Sequence, residues 1–141
     1  FGPGRRPPHT LSPALATRNS EFASVFGTMG GDAQPQILLQ IAARLFQHQQ
    51  SPAEAIHAAR WALAGPTSGF DTWDDMSQQQ VLLEGHSPST WRERLTARGH
   101  RIRVQPEWDS TFGHAHAIVR DEHGLAGAAD PRARVSACLG R

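Results

Sequence analysis

The sequence has no lysine and no tyrosine, only one cysteine, and no apolar run near the roughly 18 to 20 residues a membrane-spanning helix needs. Cys138 alone excludes an internal disulfide framework and a CxxC metal site. An excess of charge of either sign is also missing. The 14 basic residues, all arginine, face 13 acids for a net charge of +1, which gives no electrostatic ground for a nucleic acid or an anionic membrane as partner. Arginine used to the exclusion of lysine reads as the bias of a GC-rich genome. Scattered as they are, the arginines are expected to be mostly solvated. No signal peptide is visible and no cofactor motif is present. No compartment can be assigned from such absences, a cytoplasmic one being favoured over a periplasmic one.

What remains is a 141-residue chain with 38% hydrophobic residues, enough for one domain or part of one. It opens with Phe1, not Met, inside the loop-like "FGPGRRPPHTLSP", so the reading expects a processed or truncated piece of something longer. Short strands are expected at 14–17 and 22–26, joined by the turn residues Asn19 and Ser20. Ile37, Leu38, Ile41, Ala42, Leu45 and Phe46 then recur at helical spacing, while Gln36, Gln40, Arg44 and Gln47 fall on the other face. This predicts a helix over 33–49, with Pro35 harmless in its first turn. Ser51-Pro52-Ala53-Glu54 is a capping box that starts a second helix to about Ala59, and Ser87-Pro88 starts a third that stops at Gly99. On the third, Trp91 beside Leu95 is expected in the core. Further strands are expected at 61–64, 80–84, 101–105, 115–120 and 125–128, with a loop over 65–78. The fold class is α+β, with sheet edges that need a closing partner.

The glycine pair Gly30-Gly31 falls between the strand expected to end at Phe26 and the helix expected to begin near Asp32. Glycine brings backbone close to a ligand without a Cβ in the way and tolerates φ > 0. A helix start adds N–H groups that have no intrahelical acceptor, and the positive end of the helix dipole. Together these make a pocket for an oxyanion, each donor there being worth roughly 3 kcal/mol of transition-state stabilisation. The plain alternative is a tight strand-to-helix turn with no chemistry.

Six segments carry a family resemblance: "GRRPPHTLSPAL" (4–15), "FGTMGGDAQPQ" (26–36), "SPAEAIHAARW" (51–61), "ARGH" (97–100), "FGHAHAI" (112–118) and "ADPR" (129–132). In order and spacing they resemble the C-terminal part of the small subunit of the gamma-glutamyltransferase (gamma-glutamyltranspeptidase) family, nearest its acylase and oxamate amidohydrolase branch. The resemblance implies an N-terminal-nucleophile (Ntn) hydrolase, a four-layer αββα sandwich of which residues 1–141 are a single incomplete domain. It implies an autoprocessed heterodimer whose N-terminal threonine attacks the amide carbonyl of a small substrate with its own α-amino group as base. Gly30 and Gly31 then match the glycine pair whose N–H groups hold the oxyanion. His9 and Thr10 fall where the transpeptidases carry two substrate-binding serines; Thr10 keeps a hydroxyl, and His9 departs from the pattern. None of Thr10, Thr17 and Thr28 stands where the nucleophile should. The expected partners are therefore a small amide, the large subunit and the upstream part of the small subunit.

Two other readings compete. His114 and His116 share one face of a strand, with His100 and His123 as further candidates, which raises a minor metal alternative without a third ligand at a diagnostic interval. A non-catalytic remnant or binding module is the other, using the four tryptophans. Trp73 and Trp108 sit in acidic contexts, unsuited to a nucleic-acid backbone and better suited to the rim of an enzyme pocket.

Overall fold

A computed structural model describes residues 2–6, 11–65 and 76–140. Ten residues of the loop expected over 65–78, Trp73 among them, lie outside the described residues. Strands β1 (Ala14–Arg18) and β2 (Glu21–Met29) form an antiparallel hairpin. Its turn is Asn19-Ser20, with φ of 52° and 67°, the paired left-handed conformation that matches strand twist. β2 runs three residues past the expected end, because Gly27, Thr28 and Met29 pair with His116, Ala115 and His114 of β6 (His114–Asp121). That partner is some ninety residues away in sequence, so no local pattern announces it. With β7 (Gly124–Ala129) these strands form a four-stranded antiparallel sheet, order β1-β2-β6-β7.

The expected long helix is built in three pieces. Gly31–Ala33 is a single 3₁₀ turn, α1 (Gln34–Ala42) follows, and Ala43–Gln47 widens into a π-type turn closed by the His48 N–H on the Ala43 carbonyl. α2 (Pro52–His57) begins at the expected capping box: Ser51 Oγ accepts from the Glu54 N–H at 3.3 Å, and the Ser51 N–H donates to Glu54 at 2.8 Å. Ile37, Ile41 and Leu45, with Ala55 and Ile56 of α2, pack on Phe26, Ala115, Ala117 and Ala128 of the large sheet. The alanines let the helices approach closely. Phe26 is buried here, its ring edge-on to Phe46.

The second sheet, order β3-β4-β5, joins β3 (Trp61–Ala64), β4 (Gln80–Glu84) and β5 (Ile102–Gln105). β3 and β4 are antiparallel, whereas β4 and β5 are parallel and linked through α3 (Ser89–Ala97). α3 buries no residue fully. Trp91 and Leu95 are only half-buried, lining a groove of about 480 Å³ with Trp61 and Leu63, so Trp91 is not the core residue expected. No helix among the described residues is long and apolar enough to cross a membrane.

The opposite face of the large sheet is largely open among the described residues, with Pro13 against Gly27 and Cys138 Sγ against Gly127. Register places Leu15, Val25 and Ile118 in one row across it, and Leu15, Met29, Ile118 and Leu125 are 69%, 52%, 38% and 70% exposed.

Candidate active site

β2 ends at Met29, and the 3₁₀ turn that leads into α1 begins at Gly31, so the glycine pair occupies a strand-to-helix junction. Gly31 has φ +53°, and a Cβ built on it meets nothing within 4 Å: its conformation favours glycine and its front is open. Gly30 differs. A Cβ there would lie 3.2 Å from Gly113 Cα and 3.3 Å from Ile37 Cδ1. The Gly30 carbonyl accepts the Ala33 N–H at 3.1 Å and closes the first turn. Thr28 is buried, its hydroxyl donating to the Met29 carbonyl, and Thr17 lies in β1.

His9 and Thr10 lie outside the described residues. The chain just after them is placed: the Ser12 N–H donates to Oε1 of Gln34, the first residue of α1, at 3.2 Å, and Pro13 lies beside Gly27. The loop following Thr10 therefore runs past the end of β2 and the start of α1.

Behind the glycines lies a buried charge cluster that the sequence did not reveal. Arg60, Glu84, Asp130 and Arg132 are 2%, 0%, 0% and 4% exposed, which overturns, for two arginines, the expectation of solvation. They close to zero net charge. Asp130 pairs with Arg60 at 2.8 Å and Arg132 at 3.0 Å, and Arg132 reaches Glu84 Oε1 and Oε2 at 2.7 and 2.5 Å. Most of the spare donors go to backbone: Arg60 to Phe112 O (2.8 Å), Gly113 O (3.5 Å) and Ile56 O (3.0 Å), Arg132 to Ile56 O and Ala58 O, while Arg60 Nε is buried without a partner. Asp130 also accepts the Ala115 and Arg132 N–H groups. Burial, then the charge of Arg132, pulls the Arg60 guanidinium down to about 10 against the hold of Asp130 and Glu84. Burial pushes the Asp130 carboxyl up, but Arg60, the two N–H donors and Arg132 outweigh it and hold the group below the usual carboxylate range. The cluster ties the end of β7 to β4 and to the entry of β3, locking the two sheets together.

Trp108, expected at a pocket rim, packs over this cluster. It stacks on His86 at 4.2 Å and lies 5.2 Å from the Arg132 guanidinium. His114 and His116 share the face of β6 turned away from α1 and α2, where His116 is exposed and His114 half-buried, its Nε2 buried without a partner. No group of three His, Cys, Asp or Glu side chains among the described residues could hold a metal ion, so the metal alternative has no third ligand there.

Residues 1–139 match the sequence profile of the family described as gamma-glutamyltranspeptidase. The chain belongs to the gamma-glutamyltranspeptidase family. Among its relatives, the oxamate amidohydrolase proenzyme of Klebsiella pneumoniae is 38% identical over 97% of this chain and 25% of its own length. Cephalosporin acylase of Bacillus halodurans superposes with a TM-score of 0.74 at 33% identity, over 100% of this chain and 25% of that one. A gamma-glutamyltranspeptidase of Pseudomonas nitroreducens superposes at 0.73 and 22% identity, over 100% and 67%, a likeness of fold. The chain thus spans about a quarter of the length of its amidohydrolase and acylase relatives, and it forms part of the Ntn-hydrolase fold. Arg60 and Arg132 each lie inside a segment that carries the family resemblance, "HAARW" and "ADPR".

Proposed function

We propose that this chain supplies the oxyanion hole and part of the substrate pocket of an Ntn amidohydrolase or transpeptidase. The substrate is a gamma-glutamyl compound or a similar small amide. The observation that carries the reading is Gly31, a left-handed glycine at a strand-to-helix junction with open space where a side chain would stand. The Gly30 and Gly31 N–H groups stabilise the charge that develops on the carbonyl oxygen as the nucleophile adds, and the positive end of α1 assists. The nucleophilic threonine, its α-amino base and the large subunit come from outside these residues, released by processing of a precursor. His9 and Thr10, just before Ser12 in the sequence, hold the carboxylate end of the substrate, His9 departing there from the pattern of the glutamate-specific transpeptidases. Membership of the family and the proenzyme names of relatives support this reading.

The test uses the complete enzyme and three substrates: a chromogenic gamma-glutamyl anilide, oxamate and an acylated β-lactam. Gly31→Ala places a methyl group in the open front. It is expected to lower kcat about 100-fold, while the left-handed backbone costs about 1 kcal/mol of folding stability. Unchanged turnover on a hydrolysed substrate would reduce the pair to a tight turn.

A further inference from the structure

We infer that Gly113 is the positioning residue of this oxyanion hole, an inference that rests on the reading just given. Gly113 lies in the short connection between a 3₁₀ turn at Ser110–Phe112 and β6, far in sequence from the pair it supports. It has φ +77°, and a Cβ on it would come within 2.5 Å of both the Met29 carbonyl oxygen and Thr28 Oγ1. The Met29 carbonyl and the Gly30 N–H belong to one planar peptide unit, so whatever displaces that oxygen turns the N–H as a rigid body. Gly113 is thus the backstop of one of the two proposed donors. Ile37 Cδ1, on α1, wedges against both glycines, 3.3 Å from the Cβ position of Gly30 and 3.0 Å from that of Gly113.

The backstop is itself fastened. Arg60 donates to the carbonyls of Phe112 and Gly113, and the same guanidinium is anchored on Asp130 and the Ile56 carbonyl. Phe112 is completely buried, which fixes the other end of the connection. Donors to an oxyanion work only within a few tenths of an ångström of their proper place, and a loop held by hydrogen bonds to a paired, buried cation supplies that rigidity. The buried charge cluster therefore acts on the chemistry through Gly113 and touches no substrate.

The experiment compares Gly113→Ala and Ile37→Val with the wild type in the complete enzyme, reading kcat and KM separately, together with affinity for a boronic acid that forms a tetrahedral anion on the nucleophile. Gly113→Ala forces the Met29–Gly30 peptide to shift. It is expected to lower kcat about 100-fold with KM within about threefold, and to weaken boronate binding by a similar factor. Ile37→Val removes only the Cδ1 methyl group, a deletion that cores tolerate, and is expected to lower kcat about three- to tenfold with the same split. Should Gly113→Ala fail to fold, Ile37→Val decides. A folded variant with wild-type kcat and boronate affinity, or a loss expressed wholly in KM, overturns the inference. Sensitivity to Gly31→Ala with insensitivity at both 113 and 37 removes the positioning role and leaves the oxyanion hole standing. Insensitivity at Gly31 removes the hole itself.

Discussion

On Asp130 two guanidinium groups and two backbone N–H groups meet on one carboxylate with no exposure to water. Its replacement leaves two buried arginines facing the single carboxylate of Glu84. Asp130→Asn is therefore expected to cost about 3 to 5 kcal/mol in a urea melt, well beyond the effect of an ordinary surface change. The pH dependence follows in sign. A carboxyl held below its unfolded value binds fewer protons in the native state, so its contribution is fully present above about pH 4 and is lost as pH falls through the lowered folded value. Melting temperature measured from pH 6 down to 2 should drop below pH 4 in the wild type. The drop should be shallower in Asp130→Asn; equal slopes would mean that another carboxylate governs acid unfolding.

Among the elements, α1 and β3 depend on each other in a way that amphipathic patterning misreads. Gln36 and Gln40 belong to the polar face of α1, yet they close the open edge of β3. Gln40 Oε1 accepts the Trp61 N–H at 3.0 Å, its Nε2 donates to the Trp61 carbonyl at 2.9 Å, and Gln36 Oε1 accepts the Leu63 N–H at 2.7 Å. One carboxamide here does what a neighbouring strand would do, and so protects a sheet edge from other chains. Gln40→Leu leaves both polar groups of Trp61 without these partners. It is expected to cost about 1 to 3 kcal/mol, with faster hydrogen exchange at the amides of Trp61 and Leu63 and little change at α2. Uniform loss of protection across both sheets would show that the contact is not local.

Among the described residues the large sheet is closely packed on one side only. α1 and α2 cover one face of the four-stranded sheet, while the row Leu15, Val25 and Ile118, flanked by Met29 and Leu125, stays open on the other. In an αββα sandwich that face meets the second large sheet. Exposed apolar surface of this kind drives association, and β1 and β7 are edge strands with no strand beside them among the described residues. Residues 1–141 expressed alone are expected to show no amidase activity and to elute above monomer size. Leu15→Lys with Ile118→Lys should return them toward a monomer without lowering the melting temperature by more than a few degrees. A monodisperse wild-type monomer would contradict the argument.

Features that depend on neighbours along the chain are legible in the amino acids alone. The Asn19-Ser20 hairpin, the capping box at Ser51 and Glu54, the apolar stripe of α1, the β6–β7 hairpin and the place of Gly30-Gly31 between strand and helix are set by turn chemistry and periodicity within a few residues. Six motifs in register added the family and its fold. Tertiary structure decided the rest, because it depends on which distant segments meet. The last three residues of β2 exist as strand through β6, Gln36 and Gln40 are bonded through β3, and Gly113 stands behind Gly30 through a contact some eighty residues long in sequence. Arginines 60 and 132 look like twelve others in the chain. Only folding brings Glu84 and Asp130 to them and turns charges that water would hold apart into a buried, neutral cluster.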